Sequence, residues 1–234
     1  QPFAFLMPKT LLTTKNLGLE VEGRTLLKSL ILSLNPGTFV AVTGPSGSGK
    51  TTLLRTLAGE LEPAEGKVVN HLDCPTRLAM IFQDLQLADG ATALTNVLGG
   101  SLGRHSFLST LFRFPSQEQE KALHLLAEFG LSGKSNQWTS TLSRGERQRV
   151  AACRTLLSQP QLLLADEPVS SLDPSLADEV LAHLSNEISG KNGCLVCALH
   201  NDEQVAKFAD LVLRLDPSDP NGWKLEDLKP KEVA

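Results

Sequence analysis

Residues 44–52 read GPSGSGKTT, and this stretch constrains the fold and the ligand more than any other part of the chain. It fits the pattern G-x-x-x-x-G-K-[ST] and follows residues 38–42, an apolar run typical of a buried strand. The glycines let the backbone turn tightly and point its N–H groups at phosphate oxygens, and Lys50 can reach the terminal phosphates. A helix expected over residues 50–58 adds its positive dipole end. The motif therefore predicts a nucleoside triphosphate site.

Composition limits the other classes of protein to which the chain can belong. At 234 residues with 41% hydrophobic content, it can bury one large core or two modest lobes. The net charge of −4 gives no basic field for holding nucleic acid or an anionic membrane, so we expect no nucleic-acid partner. The chain has no run of about eighteen apolar residues, the length that a membrane helix needs, so a role at a membrane requires a partner protein.

The cysteines indicate core packing rather than a metal site. Four cysteines are too few for a disulfide scaffold in a chain of this length, and a reducing compartment fits them best. Cys194 and Cys197 read as C-x-x-C, but they lie in a strand-like run. Residues three apart in a strand point to opposite faces and do not easily bind one metal ion.

Strand-like and helix-like segments alternate along the chain, which predicts an α/β fold with a mainly parallel sheet. Short apolar runs, typical of strands buried on both faces, cover residues 39–43, 78–82, 162–165, 195–199 and 211–215. A small antiparallel sheet at one side is indicated by residues 11–15, 18–21 and 30–34.

Helical patterns predict the remaining organisation. A helix over residues 174–188 is expected to begin with Asp173 as its N-cap, and another covers residues 117–129. Residues 84–159 contain several helical patterns and no convincing strand. We expect a single domain over residues 1–234. Its nucleotide-binding core would comprise about 1–83 and 160–234, and its helical part about 84–159.

A second motif, residues 141–150, reads TLSRGERQRV and resembles the signature LSGGQ of the ATP-binding-cassette (ABC) family. It lies between the phosphate-binding loop and LLLADE at 162–167, which resembles the Walker B element of that family. Gln83 resembles its Q-loop glutamine, residues 171–173 its D-loop and His200 its switch histidine. The elements follow the family's order and usual spacings. The resemblance implies an ABC-type P-loop ATPase with a mainly parallel core sheet, a small antiparallel β subdomain and an α-helical subdomain.

The resemblance also implies residue roles that agree with phosphoryl transfer, which depends on positioning and on neutralising charge. Glu167 would orient or polarise the attacking water, His200 would hold the γ-phosphate and the water, and Gln83 would complete the catalytic set. Mg²⁺ would be held by Thr51, Gln83 and Asp166. ATP would be bound by the loop residues Gly44, Pro45, Ser46, Gly47, Ser48, Gly49, Lys50, Thr51 and Thr52.

The signature element implies that two copies assemble. Ser143 and the Gly145 amide would contact the γ-phosphate of ATP held by the opposite subunit, and Asp173 would be the D-loop aspartate. Since the chain carries one of each element, two copies should close head to tail around two ATP molecules. The signature set, Ser143 to Glu146, departs from the family at Arg144, which replaces the first glycine, and at Glu146, which replaces glutamine.

The base-binding position is the largest departure from the family pattern. The family usually supplies an aromatic ring to stack on adenine near the position of Val21, and this chain has no tyrosine. Val21 offers only a flat apolar contact, and Leu19 is an equally good candidate. We therefore expect weak discrimination between ATP and GTP, unless another residue supplies the contact.

One segment indicates a branch of the family. Residues 95–103 read TNVLGGSLG and are followed by the apolar and aromatic residues Phe107, Leu111, Phe112 and Phe114. This pattern is similar to that of phosphonate import ATPases. It implies the ATP-hydrolysing subunit of an importer for phosphonate or a related oxyanion. Such a subunit would lie at the cytoplasmic face of the cell membrane and work with a separate permease and a solute-binding protein.

Three other functions can be compared with that of an importer ATPase. The nearest alternative is an ATPase of the lipoprotein-release or cell-division type, which drives a mechanical change in a membrane partner. A soluble ATPase of DNA repair or translation would need a long coiled-coil insertion or a second cassette, and neither fits in 234 residues. A small GTPase would need the motif N-K-x-D, which the chain lacks.

Overall fold

The computed structural model describes residues 10–104 and 114–228. Within them, the strands are β1 (Leu12–Val21), β2 (Arg24–Leu30), β3 (Ser33–Leu34), β4 (Phe39–Thr43), β5 (Glu65–Asn70), β6 (Leu78–Ile81), β7 (Leu162–Asp166), β8 (Cys194–Ala198), β9 (Leu211–Leu215) and β10 (Trp223–Asp227). The helices are α1 (Lys50–Leu57), α2 (Ala93–Gly99), α3 (Ser116–Glu128), α4 (Arg144–Leu157), α5 (Pro174–Ser189) and α6 (Asp202–Phe208). Short 3₁₀ turns connect several of these elements.

A six-stranded sheet in the order β10-β9-β4-β8-β7-β6 forms the centre of the molecule. The strands from β9 to β6 are parallel, and only the edge strand β10 runs antiparallel to its neighbour. Every residue of β4, β7 and β8 is buried, because helices and the second sheet cover both faces. The predicted α/β fold with a mainly parallel sheet is confirmed.

Two hydrophobic clusters lie on opposite faces of this sheet. Cys197 belongs to the cluster that contains α2, α4 and α5, and Cys194 belongs to the cluster on the α1 side. Both side chains are fully buried, and burial raises the pKa of both thiols. The predicted core packing of the two cysteines on opposite faces is confirmed.

A four-stranded antiparallel sheet lies beside the central sheet, with β1 pairing with β2, β3 and β5. The small sheet was expected, but its strands differ from the expected ones. Residues 11–15 and 18–21 form one long strand, β1, which bulges near Gly18 rather than ending there. The expected strand over residues 30–34 is divided between the end of β2 and the two-residue β3.

Strands β5 and β10 were not expected from the sequence. Their side chains are mostly exposed, so neither strand carries the apolar run that indicates a buried strand. Strand β5 pairs with β1, and β10 pairs with β9. These tertiary contacts stabilise both strands, although their own sequences show little strand preference.

Helices α2, α3 and α4 pack against one another and occupy the described part of residues 84–159. Apart from a single isolated bridge between Thr92 and Trp138, the described residues of this segment form no strand pairing. On α3, Ala122 and Leu126 are buried, as the helical pattern predicts. Phe114 packs against the same core, whereas Phe107, Leu111 and Phe112 lie outside the described residues.

Helix α5 begins where the sequence indicates. The Asp173 carboxylate accepts a hydrogen bond of 3.1 Å from the Leu176 N–H, which satisfies one of the free donors of the first turn. Among the described residues, no helix combines the length and the apolar character that crossing a bilayer requires.

Gly66 provides a test of how β5 fixes the small sheet. Its φ is +72°, and a Cβ there would lie 2.2 Å from the Asn16 carbonyl oxygen. Gly59 has a similar φ of +79°, but a Cβ there would meet nothing within 4 Å. Gly66→Ala should therefore lower the free energy of unfolding by about 1–3 kcal/mol more than Gly59→Ala, measured by urea denaturation. Equal losses for the two variants would contradict this close packing of β5 on β1.

Candidate active site

The strand order brings several loops to one edge of the central sheet. Strand β4 leads into the phosphate-binding loop, and its neighbours β8 and β7 lead into His200 and into Asp166 with Glu167. Strand β6 follows at the side of β7 and leads into Gln83. Because parallel strands place their carboxyl ends together, residues distant in sequence meet at this edge.

A cleft of about 710 Å³ opens there. That volume is typical of a small-molecule site. The cleft is lined by ten residues that the sequence singles out: Val21, Ser46, Gly47, Gly49, Lys50, Thr51, Thr52, Gln83, Glu167 and His200. Glu22, Arg24 and Leu26 line it as well and were not expected.

The remaining loop residues lie next to the cleft rather than in its wall. Gly44 and Pro45 line an adjoining cavity together with His200, and Ser48 is buried. Gly44 has a φ of +144°, and a Cβ there would lie 2.4 Å from the Leu215 carbonyl oxygen, so the loop passes too close to β9 for a larger residue.

Lys50 begins α1 and is turned back into its own loop. Its ammonium group donates hydrogen bonds of 2.8 Å to the Gly44 carbonyl and 3.1 Å to the Pro45 carbonyl. Burial lowers the pKa of Lys50, and the carboxylates of Glu167 and Asp166 oppose this effect. The arrangement holds a cation at the N-terminal end of a helix, where an anion such as phosphate is favoured.

Asp166 is the most deeply buried carboxylate of the site. Its side chain is 1% exposed, and its Oδ1 atom has no hydrogen-bond partner within the described structure. Burial raises its pKa, a hydrogen bond from Thr51 counters the shift, and the neighbouring Glu167 carboxylate raises the pKa further. A buried oxygen without a partner, beside a threonine hydroxyl, is the donor chemistry that fits Mg²⁺.

The described residues contain no group of three or more His, Cys, Asp or Glu side chains arranged to hold a metal ion. Mg²⁺ is commonly bound through one or two carboxylates together with substrate phosphates, and it does not require such a cluster. Asp166 and Thr51 would therefore be enough as protein donors if Mg²⁺ binds here, and Gln83 is exposed in the cleft that Thr51 lines.

Glu167 and His200 meet at the cleft. His200 Nε2 lies 2.5 Å from Glu167 Oε1, although the residues are separated by 33 positions in sequence. Glu167 has a φ of +51°, a strained conformation for a residue with a side chain, and such residues concentrate at functional sites. A carboxylate paired with an imidazole at a phosphate-binding cleft can orient a water molecule and accept its proton.

The signature residues Ser143, Arg144, Gly145 and Glu146 do not line this cleft. Ser143 is the N-cap of α4, where its hydroxyl accepts from the Glu146 N–H and its own N–H donates to the Glu146 carboxylate. An ion pair with Lys134 lowers the pKa of Glu146. Glu146, which replaces the family's glutamine, thus forms a capping box with Ser143 at the start of α4. Arg144, the other departure from the family signature, is exposed.

Two residues of α4 contact the D-loop closely. A Cβ on Gly145 would lie 2.8 Å from the Leu172 Cδ2 atom and 3.3 Å from the Ser171 carbonyl oxygen, so a larger residue would require the Leu172 side chain to move. The buried Gln148 amide donates to the Glu167 carbonyl and to the Ser170 hydroxyl, and its oxygen accepts from the Ser171 N–H at 3.1 Å. Gln148 was not predicted. The available signal was a polar residue on the apolar face of a helix.

Arg154 was also not predicted, and it holds the turn that follows Gln83. Its guanidinium donates to the carbonyls of Leu85 at 2.8 Å and Gln86 at 2.6 Å. Both of these residues have positive φ, so the turn is strained and depends on external hydrogen bonds. Helix α4 therefore contacts both the Glu167 loop and the Gln83 loop.

Val21 and Leu19 are the two candidates for a base contact, and only one of them lines the cleft. Val21 is 42% exposed and lines the cleft, whereas Leu19 is 2% exposed and packs in the core below the small sheet. Leu19 is therefore excluded as a base contact.

Comparison with known proteins identifies the family of the chain. The family model described as ABC transporter matches residues 27–170, and the chain belongs to that family. Its relatives include the phosphite import ATP-binding protein PxtA of Stutzerimonas stutzeri, which is 39% identical over 84% of this chain and 75% of its own length. The phosphonates import ATP-binding protein PhnC 1 of Trichodesmium erythraeum is 36% identical over 91% of this chain and 87% of its own length.

Solved structures of the family share the fold. A dimeric post-hydrolysis ATP-binding cassette bound to ADP and Pi superposes with a TM-score of 0.80, at 25% identity, over 94% of this chain and 99% of that one. A nucleotide-free cassette from an ABC transporter gives a TM-score of 0.72, at 25% identity, over 88% of this chain and 87% of that one. The resemblance to the ABC family read from the sequence motifs is confirmed.

Gln148 gives a test of how α4 positions the Glu167 loop. Gln148→Leu removes the side-chain hydrogen bonds of Gln148 and keeps its approximate size. The Glu167 backbone therefore loses a hydrogen bond, whereas the phosphate-binding loop keeps all of its contacts. We expect kcat for ATP hydrolysis to fall roughly tenfold to a hundredfold, with little change in KM. Gln204→Leu is the matched control, because Gln204 is a buried glutamine whose side-chain amide, within the described structure, donates to Asp178 and not to the backbone of the Glu167 loop. Similar kcat values for the two variants would contradict the positioning role.

Proposed function

We propose that this chain is the ATP-hydrolysing subunit of an ABC importer that takes up phosphonate or a related oxyanion through a separate permease. The observation that carries the hydrolytic part is the contact between Glu167 and His200, which meet at 2.5 Å beside Lys50 and the buried Asp166. This set provides a base and a cation that line one cleft, and a carboxylate suited to a metal ion that is buried behind Glu167.

Each residue has a role in binding or proton transfer. Lys50 and the amides of residues 44–52 bind the phosphates, and the ammonium exchanges its loop carbonyls for phosphate oxygens. Glu167 orients the attacking water and accepts its proton. His200 contacts the Glu167 carboxylate and positions it relative to the γ-phosphate. Gln83 lines the same cleft and completes the polar shell around the water.

Mg²⁺ fits the oxygen donors of Asp166, Thr51 and Gln83, and it would neutralise charge on the phosphates when bound. The Asp166 carboxylate supplies the negative charge for the ion, and its unpartnered Oδ1 atom supplies a free acceptor. Thr51 is the second residue of α1, so its hydroxyl is held by the same helix that begins at the phosphate-binding loop, whereas Asp166 and Gln83 are held by β7 and by the loop after β6.

A second copy of the chain would complete the site. Ser143 and Gly145 do not line the cleft of their own chain, which supports a contact with nucleotide held by the partner. One of the related structures is a dimeric cassette, and Ser143 and Arg144 are exposed here. Asp173, which caps α5 next to Gly145 and Leu172, would face the partner as the D-loop aspartate.

The transport role follows from the relatives. The two described above are named as import ATP-binding proteins for phosphite and phosphonates, which does not favour the alternative of a lipoprotein-release or cell-division ATPase. We infer a permease partner, a peripheral position at the cytoplasmic face of the membrane, and a solute-binding protein that delivers the oxyanion. Residues 1–83 with 160–234 would form the nucleotide-binding part of the domain, and residues 84–159 the helical part.

Glu167→Gln tests the catalytic assignment. The amide keeps the size of the side chain but cannot accept a proton, so hydrolysis should fall by about 10²–10⁴, the range for loss of a positioned base. ATP binding should persist, because Lys50, Thr51 and Asp166 are unchanged. The variant should therefore accumulate as an ATP-bound dimer on size-exclusion chromatography with ATP and Mg²⁺.

Ser143→Arg in the Glu167→Gln background is the control for assembly. It adds bulk and charge at the interface and should prevent the dimer while leaving ATP bound to the monomer. Hydrolysis by Glu167→Gln at the wild-type rate would refute the catalytic assignment. An ATP-loaded Glu167→Gln protein that stays monomeric at high concentration would refute the self-paired assembly.

A further inference from the structure

The cleft has a second wall, built by the hairpin of β1 and β2. The strands are joined by Glu22 and Gly23, which have φ values of +51° and +78°, as a two-residue hairpin turn requires. Val21 and Arg24 are paired directly across the hairpin. In an antiparallel pair, residues directly opposite each other project from the same face of the sheet.

That face is the one that meets the phosphate-binding loop. Val21, Arg24 and Leu26 all line the cleft together with Lys50. Leu26 is close to the loop itself, since a Cβ added to Gly49 would lie 2.8 Å from the Leu26 Cδ1 atom. The end of the hairpin therefore forms a wall of the cleft whose other wall is the phosphate-binding loop.

Apart from the His200 imidazole, which contacts Glu167, the described residues that line the cleft include no aromatic ring. Val21 is exposed, but its side chain is small and carries no π system on which a base could stack. Arg24 is the planar group of this wall: its guanidinium is delocalised, weakly hydrated and able to stack on aromatic faces. Arg24 is exposed, and within the described structure its side chain makes neither a hydrogen bond nor an ion pair, so its planar face is available to a ligand.

We propose that Arg24 and Val21 together form the platform for the nucleotide base, with the Arg24 guanidinium stacking on the purine and Val21 packing beside it. The proposal rests on the proposed function, because it assigns the base end of the same ATP site. Stacking uses the face of the ring and not its edge, so the platform accepts adenine and guanine alike.

The competing role for Arg24 is a contact with phosphate, and a ligand without a base separates the two. Binding of ATP and of inorganic tripolyphosphate is measured by calorimetry with Mg²⁺ in the Glu167→Gln background, which prevents hydrolysis. Arg24→Ala should weaken ATP binding about three- to thirtyfold, the range for a cation over an aromatic ring. It should leave tripolyphosphate binding within about twofold of the parent protein, because the phosphate-binding loop is unchanged.

Two further variants sharpen the test. Arg55→Ala removes the same charge from an exposed arginine that pairs with Glu60 and does not line the cleft, and it should leave ATP affinity unchanged. Arg24→Trp should restore ATP affinity because it replaces one planar group by another, whereas Arg24→Lys should not. Thermal unfolding checks that each variant is folded.

Equal loss of ATP and tripolyphosphate binding in Arg24→Ala would show a phosphate contact and overturn the platform. Unchanged ATP affinity in Arg24→Ala would also overturn it while leaving the proposed function intact. The proposed function itself is wrong if the parent protein binds neither ATP nor tripolyphosphate, so that Lys50→Ala has no phosphate binding to remove.

Discussion

The parallel pairing of β4, β8, β7 and β6 is the constraint on which the rest of the site depends. It places the carboxyl ends of four strands at one edge, and the residues that follow them carry the loop lysine, the histidine, the two carboxylates and the glutamine. Apart from the adjacent carboxylates Asp166 and Glu167, these groups are distant from one another in sequence. Burial of the strands on both faces makes the register rigid, so Asp166 and Lys50 can be held with little access to water, where electrostatic interactions are strong.

Helix α4 joins this edge to the surface that we assign to the partner subunit. Its first turn contains the signature residues, its second turn holds the Glu167 loop through Gln148, and its last turn holds the Gln83 loop through Arg154. Gly145 lets the D-loop approach its backbone. A contact made by the first turn of α4 is therefore made by the same rigid element that supports the catalytic loops. In physical terms, assembly and hydrolysis share one helix.

Much of this architecture could be predicted from the sequence because its signals are local. The buried strands appear as short apolar runs, the loop at 44–52 has a spacing that its phosphate chemistry requires, and Asp173 with Pro174 marks the start of α5. The signals that failed were tertiary. Strand β5 is exposed and exists because β1 pairs with it, while Gln148 and Arg154 act on carbonyls of distant loops. Arg24 lines the cleft only because the hairpin folds over the loop, a placement that no local pattern encodes.

In the proposed assembly the signature of one copy reaches the cleft of another, and cross-linking between chains tests this contact most directly. Ser143→Cys and Ser46→Cys are placed on separate chains, both in a Glu167→Gln, Cys74→Ser background, and treated with a short bismaleimide. Cys153, Cys194 and Cys197 are fully buried, and burial raises the pKa of their thiols, so they should not react. We expect a cross-linked dimer that forms only when the two variants are mixed and ATP with Mg²⁺ is present. Absence of that dimer, while both chains bind ATP, would contradict the composite site.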